Sequence, residues 1–218
     1  MCDEGLRAAP AGSDAQLTWA RHLTRAASTS AAGVPAVRAL LDGDGPLGPA
    51  VDADLRWSCW VALAAQDAAS PAELDAALAA DDTMTGRRAH LLAVASRPGA
   101  HEATWRRATT DETLTNDQLR ALVTGFAHPA DPPAPEYAQR YFASLTGWWA
   151  SRTQTMATVL VRGLFPDGSP DPGPDEHPVV RQARGWLATH PDAPAALRRI
   201  VIEQLDDLER ALRAQAAA

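Results

Sequence analysis

Lysine is absent from this chain, and all 20 of its basic residues are arginine. Such a bias reads as the codon usage of a GC-rich genome rather than as recognition chemistry. Against 27 acidic residues the arginines leave a formal net charge of −7 and a pI near 5.3, which argues against nucleic acid as a partner. The pairs Arg87-Arg88, Arg106-Arg107 and Arg198-Arg199 are interleaved with acids and read as solvated helix faces or salt-bridge partners. Cysteine is scarce. Cys2 and Cys59 make neither a disulfide framework nor a zinc knuckle. No apolar run is long enough to span a bilayer, and "MCDEGLRAAP" lacks the apolar stretch of a signal peptide. The expectation is a cytoplasmic protein with no membrane partner. Alternating apolar and polar runs rich in β-branched residues are missing as well, so no strand is expected.

What the chain does have is helix. Hydrophobic residues make up 46% of its 218 positions, enough for a real core in one sizeable domain or two small ones. Much of that share is alanine, the best helix former. Apolar spacing predicts helices over 14–28, 35–41, 53–66 and 71–80, then one opened by 81–83 and stopped by Pro98. Further helices follow over 101–108, 116–126, 136–149, 153–164, 179–189 and 194–216. Ser13 and Asp52 are placed as N-caps, and Ser70-Pro71-Ala72-Glu73 reads as a capping box with proline in the first turn. The last helix carries Leu197, Ile200, Val201, Leu205, Leu208 and Leu212 along one stripe. Residues 128–135 form a rigid proline-rich connector, and 166–178 form a Pro/Gly/Asp-rich segment expected to be a mobile surface loop. About eleven short helices of similar length, joined by short breaks, predict an all-α fold. Its arrangement would be an α-α superhelix of antiparallel hairpins forming a single domain over 1–218.

The residues that carry chemistry elsewhere are not arranged for it here. "HEATW" (His101, Glu102, Trp105) begins like HExxH, in which two histidines four apart reach one zinc and the glutamate handles water. Trp105 stands where the second histidine would be, and its indole offers the metal no in-plane lone pair. The expectation is a first helical turn with Glu102 favoured by the dipole and Trp105 packed inward. The six histidines, His22, His90, His101, His128, His177 and His190, never recur at three or four residues. There is no GxSxG, Walker A or dinucleotide glycine pattern. Cys59, between Trp57 and Trp60, reads as buried and unreactive. Asp206, Asp207 and Glu209 read as the solvated face of the last helix. Tyr141, Phe142, Trp148 and Trp149 read as core. No catalytic, cofactor-binding or metal residue is assigned to this chain.

Nine phrases nevertheless fall in a telling order: "GSDAQLTWAR", "RALLDG", "VDADLRW", "LAADDTMTGRRA", "EATWRR", "RYFASL", "LFP", "LRRIVIE" and "RALRAQ". Together they resemble the C-terminal helical domain of a bacterial aminopeptidase N, in the gluzincin family that includes the endoplasmic-reticulum aminopeptidases. The resemblance runs from about Ala8 to Ala217. It implies a superhelix of HEAT-like or armadillo-like hairpins. Its role would be to cap an upstream catalytic domain, wall off the chamber that peptides enter, and contact the peptide substrate. Zinc, GxMEN and HExxH with its downstream glutamate are implied for that catalytic domain, and none of these motifs is in this chain. The alternative is a free-standing helical-repeat module that binds a protein or peptide. Residues 1–12 read as the tail of a preceding helix, which makes Met1 a possible boundary within a longer protein.

Overall fold

The computed structural model describes residues 2–47, 51–128, 130–166 and 176–217. Among these residues the protein is all-α, with no strand. Its helices are α1 (Cys2–Ala8), α2 (Asp14–Ala27), α3 (Val34–Asp42), α4 (Ala53–Ala65), α5 (Pro71–Ala80), α6 (Met84–Ala95), α7 (His101–Thr110), α8 (Asn116–Phe126), α9 (Glu136–Ser151), α10 (Gln154–Gly163), α11 (Pro178–Thr189) and α12 (Ala195–Ala216), with a 3-10 turn at Ala31–Gly33. The eleven expected helices are present, and α1 is the addition. Residues 2–8, read from sequence as a helical tail, are indeed helical, and Leu6 is fully buried. A Cβ on Gly5 would come within 2.5 Å of the Trp19 ring, so glycine is what lets α1 lie this close to α2. The helix expected to open at 81–83 instead begins at Met84. Thr83 caps it, accepting from Gly86 N–H at 3.0 Å, while Asp81 closes α5. Most of the segment 166–178 lies outside the described residues.

The chain forms two compact units. The first is Met1–Thr104 with Thr124–Asp131, and the second is Trp105–Val123 with Pro132–Ala218. In the first, α2, α3, α4 and α6 pack around Leu23, Leu40, Leu55, Cys59 and Leu63. In the second, α9 packs on α10 and α11, and α12 packs on both of those. Tyr141, Leu145, Leu160, Val180 and Leu197 are fully buried there. All six residues of the α12 stripe are buried as the spacing predicts. Asp206 and Asp207 are exposed, but Glu209 is not on the solvated face. Its side chain is 15% exposed, held between Arg184 at 2.8 Å and Arg213 at 2.9 Å.

Short helices multiply helix ends, and each end leaves backbone groups without an intrahelical partner. At several helix starts the N-terminal donors are satisfied locally. Ser13 accepts from Gln16 N–H, Asp52 from Leu55 N–H and Thr153 from Met156 N–H. Ser70 and Glu73 complete both halves of the capping box. Several C-terminal carbonyls are satisfied from far away in sequence. Arg152 donates to Thr109 O at 2.7 Å and Asp111 O at 3.2 Å, closing α7. Arg198 donates to Leu187 O at 2.8 Å and His190 O at 2.6 Å, closing α11. The Tyr141 hydroxyl donates to Val161 O, near the end of α10, at 2.7 Å.

Replacing Arg198 by methionine keeps the stem but strips Leu187 O of the guanidinium donor and leaves His190 O with the Ala193 N–H alone. A loss of about 1–3 kcal/mol is expected, against about 1 kcal/mol for Tyr141→Phe. Urea unfolding followed by circular dichroism measures both. An unchanged midpoint for Arg198→Met would show that water replaces the guanidinium at no cost.

Candidate functional site

His101 is the first residue of α7, and Trp105, one turn on, is 5% exposed. The His101 ring stands edge-on to Phe126 at 5.2 Å, with Nδ1 3.6 Å from Asp131 Oδ2. Asp131 also accepts from Gly99 N–H at 3.0 Å, so the carboxylate ties the connector to the turn before α7. Trp105 packs on Tyr137 and Trp148, and the Arg140 guanidinium lies 4.9 Å from the rings of both Trp105 and Tyr137. HEATW is thus a structural helix start with its tryptophan in an aromatic core.

The remaining histidines are scattered. His22 stands edge-on to Trp19, His90 Nε2 lies 3.0 Å from Asp75 Oδ1, and His190 stacks on Trp186 at 4.8 Å. His128 accepts from Ala130 N–H at 3.3 Å, and burial pushes its pKa down, which keeps that acceptor neutral. His177 is buried at the N-cap of α11. Among the described residues no group of three His, Cys, Asp or Glu side chains could hold a metal ion. Cys59 is fully buried, and desolvation pushes its thiol up to about 12, opposed only weakly by Arg56. That thiol is a packing group rather than a nucleophile. Of the aromatic set, Tyr141, Phe142 and Trp148 are buried in the second unit, while Trp149 is half-buried.

A concave feature of the first unit lies between α4 and α5, an open groove of about 690 Å³. One wall is Arg56, Trp57 and Trp60 of α4, and the other is Ala76, Ala77 and Ala80 of α5. Each wall is a stripe at helical spacing, which is why two straight helices can face each other across it. Trp57 is fixed by donating from Nε1 to Asp81 Oδ2 at 2.8 Å, and Thr83 donates to the other carboxylate oxygen at 2.9 Å. Arg38 pairs with Glu73 at 2.9 Å and lies over the Trp60 ring at 5.5 Å. A smaller hollow of about 390 Å³ in the second unit is lined by Gln139, Phe142, Gln182 and Trp186. Sequence reading missed the groove. Its one available signal is α5 itself: five alanines and two leucines in ten residues, of which only Leu74 is buried.

The Glu73 carboxyl is held below its ordinary value, first by the Ser70 backbone N–H, then by the Ser70 hydroxyl and by Arg38. A carboxyl whose folded pKa is depressed contributes stability above its unfolded pKa of about 4.3 and loses it as pH falls through the folded value. Glu73→Gln is therefore expected to lower Tm at neutral pH and to flatten its fall below about pH 5. Thermal melts across that range check this, and an acid limb as steep as that of the parent would rule the capping carboxylate out. Cys59 supplies a second test. In the folded protein at pH 8, iodoacetamide should alkylate Cys2 and leave Cys59 untouched until urea is added, as read by peptide mass. Modification of Cys59 without denaturant would contradict its burial.

The family model described as "ERAP1-like C-terminal domain" matches residues 4–210. A curated relative, the aminopeptidase N of Streptomyces lividans, is 38% identical over 218 residues. That alignment covers 97% of this chain and 24% of the relative, so the chain spans about a quarter of the length of the protein it matches.

Proposed function

Because the chain belongs to the family of ERAP1-like C-terminal domains, we propose that it is the non-catalytic C-terminal part of a zinc aminopeptidase N. In that role it caps the catalytic domain, shapes the chamber that peptides enter and contacts the peptide substrate. The observation that carries this reading is the match over 4–210, together with 38% identity to a quarter of an aminopeptidase N. Zinc in such an enzyme polarises a carbonyl and activates water. The described residues of this chain do not fit it: HEATW has Trp105 in place of a ligand, and no three donors converge. On this reading the metal is held by the upstream domain, and no catalytic step is assigned to these helices.

What this chain supplies is surface. Arginine forks meet carboxylates and carbonyls in fixed geometry, as Arg152 and Arg198 do within the fold. The same chemistry on exposed arginines suits a peptide carboxylate. Two free cysteines are in keeping with a reducing, cytoplasmic setting.

The purified 218-residue chain is expected to release no product from aminoacyl arylamides, with or without added zinc. Turnover above a zinc-only blank and abolished by a chelator would show a catalytic site in these helices and end this reading.

A further inference from the structure

The helix α5 buries one residue, Leu74, where α4 buries seven. Glu73, Ala77 and Leu78 are half-buried, and its other six residues stand exposed. The turns at its two ends are pinned by partners distant in sequence. Before α5, Arg97 pairs with Asp67 at 3.0 Å, Gln66 donates to Ser28 O at 2.9 Å, and Arg38 donates to Ala68 O. After α5, Trp57 donates to Asp81 at 2.8 Å. Between these pins the helix is held by the Leu74 side chain, by Arg38–Glu73 at 2.9 Å and by His90–Asp75 at 3.0 Å. Water reaches both carboxylates, since the Glu73 and Asp75 side chains are 42% and 72% exposed. Each can take up a proton with the helix still in place. Exposed ion pairs contribute little apiece, and local opening begins where buried apolar contact is sparse.

We propose that α5 is a strap that opens by itself, without the rest of the first unit, and that Glu73 and Asp75 are its acid-sensitive catch. Because α5 forms one wall of the α4–α5 groove, its opening removes that wall. The charged groups facing the catch are Arg38 from α3, Arg56 across the groove on α4 and His90 from α6. Asp81, which lines the groove with Glu73, is engaged by Trp57 and Thr83. Of the α6 arginines, Arg87 is engaged by Asp82 and Arg88 stands exposed. As pH falls, an imidazole is protonated before a carboxylate. The His90–Asp75 pair therefore gains charge first and is lost only when Asp75 takes up a proton. Glu73, whose carboxyl is held below its ordinary value, contributes above its unfolded pKa and lets go as pH falls through the folded value. The strap is closed near neutrality and released in acid.

Hydrogen exchange of the 218-residue chain, read by peptide mass, tests this. Protection is corrected for the intrinsic exchange rate at each pH, and peptides from α4 serve as the internal reference. Between about pH 6 and about pH 3.5, the protection of residues 74–80 should fall about fivefold or more while that of 57–65 holds. The double variant Glu73→Gln/Asp75→Asn keeps both side chains uncharged at every pH. Its α5 should be as weakly protected near neutrality as the parent's is in acid, and should lose its pH dependence, with α4 unchanged. Equal losses of protection in α4 and α5 would show that α5 opens only with its unit, which overturns the inference. An α5 equally protected at both pH values overturns it too. So does a double variant whose α5 still responds to acid as the parent's does.

Discussion

The demand of the helix termini organises this protein. A chain that turns back every dozen residues or so has two backbone ends per helix to satisfy, and burial makes an unmet carbonyl expensive. At five helix starts the N-terminal donors are met by the residue next door: Ser13, Asp52, Ser70, Thr83 and Thr153 each begin a helix with their own side chain. C-terminal acceptors are met by arginine or tyrosine reaching from another helix. Arg152 bridges two carbonyls with the two prongs of its planar fork, and Arg198 reaches two from one nitrogen. A lysine ammonium is a point charge on a flexible stem and lacks that rigid fork. Whatever the genomic origin of the all-arginine composition, the fold uses the guanidinium as a clip on the ends of α7 and α11.

That asymmetry explains what was legible. Caps that act within three residues leave a local signature, and so does a buried stripe at helical spacing. The capping box at Ser70 and the six buried residues of α12 were readable for that reason. The opening of α6 by 81–83 was legible because Thr83 caps it locally, whereas Asp81 closing α5 and accepting from Trp57, distant in sequence, was not. Glu209 read as solvated because it stands in a run with Asp206, Asp207 and Arg210, while Arg184, which pairs with it across the interface of the two helices, comes from α11. The groove escaped notice because its two walls come from different helices, α4 and α5, and no single segment shows both. The family was legible through the order of nine phrases, none of which carries a chemical role.

Function follows from the same economy. The side chains most often associated with catalysis are spent on packing. Cys59 sits in the core of the first unit with its thiol kept protonated by desolvation, and Tyr141 closes a helix with a hydroxyl whose pKa burial raises. His101 and Glu102 open a helix whose tryptophan anchors an aromatic cluster. Such a chain presents walls, and its surface chemistry is arginine beside small apolar residues. The proposed function gives such a surface one task, enclosure.

The most direct measurement is the nucleotide sequence of the native locus upstream of the codon for Met1. The account predicts an open frame continuing for several hundred codons, encoding HExxH with its downstream glutamate. A stop codon and a ribosome-binding site just ahead of Met1 would contradict it and make these helices a binding module in their own right.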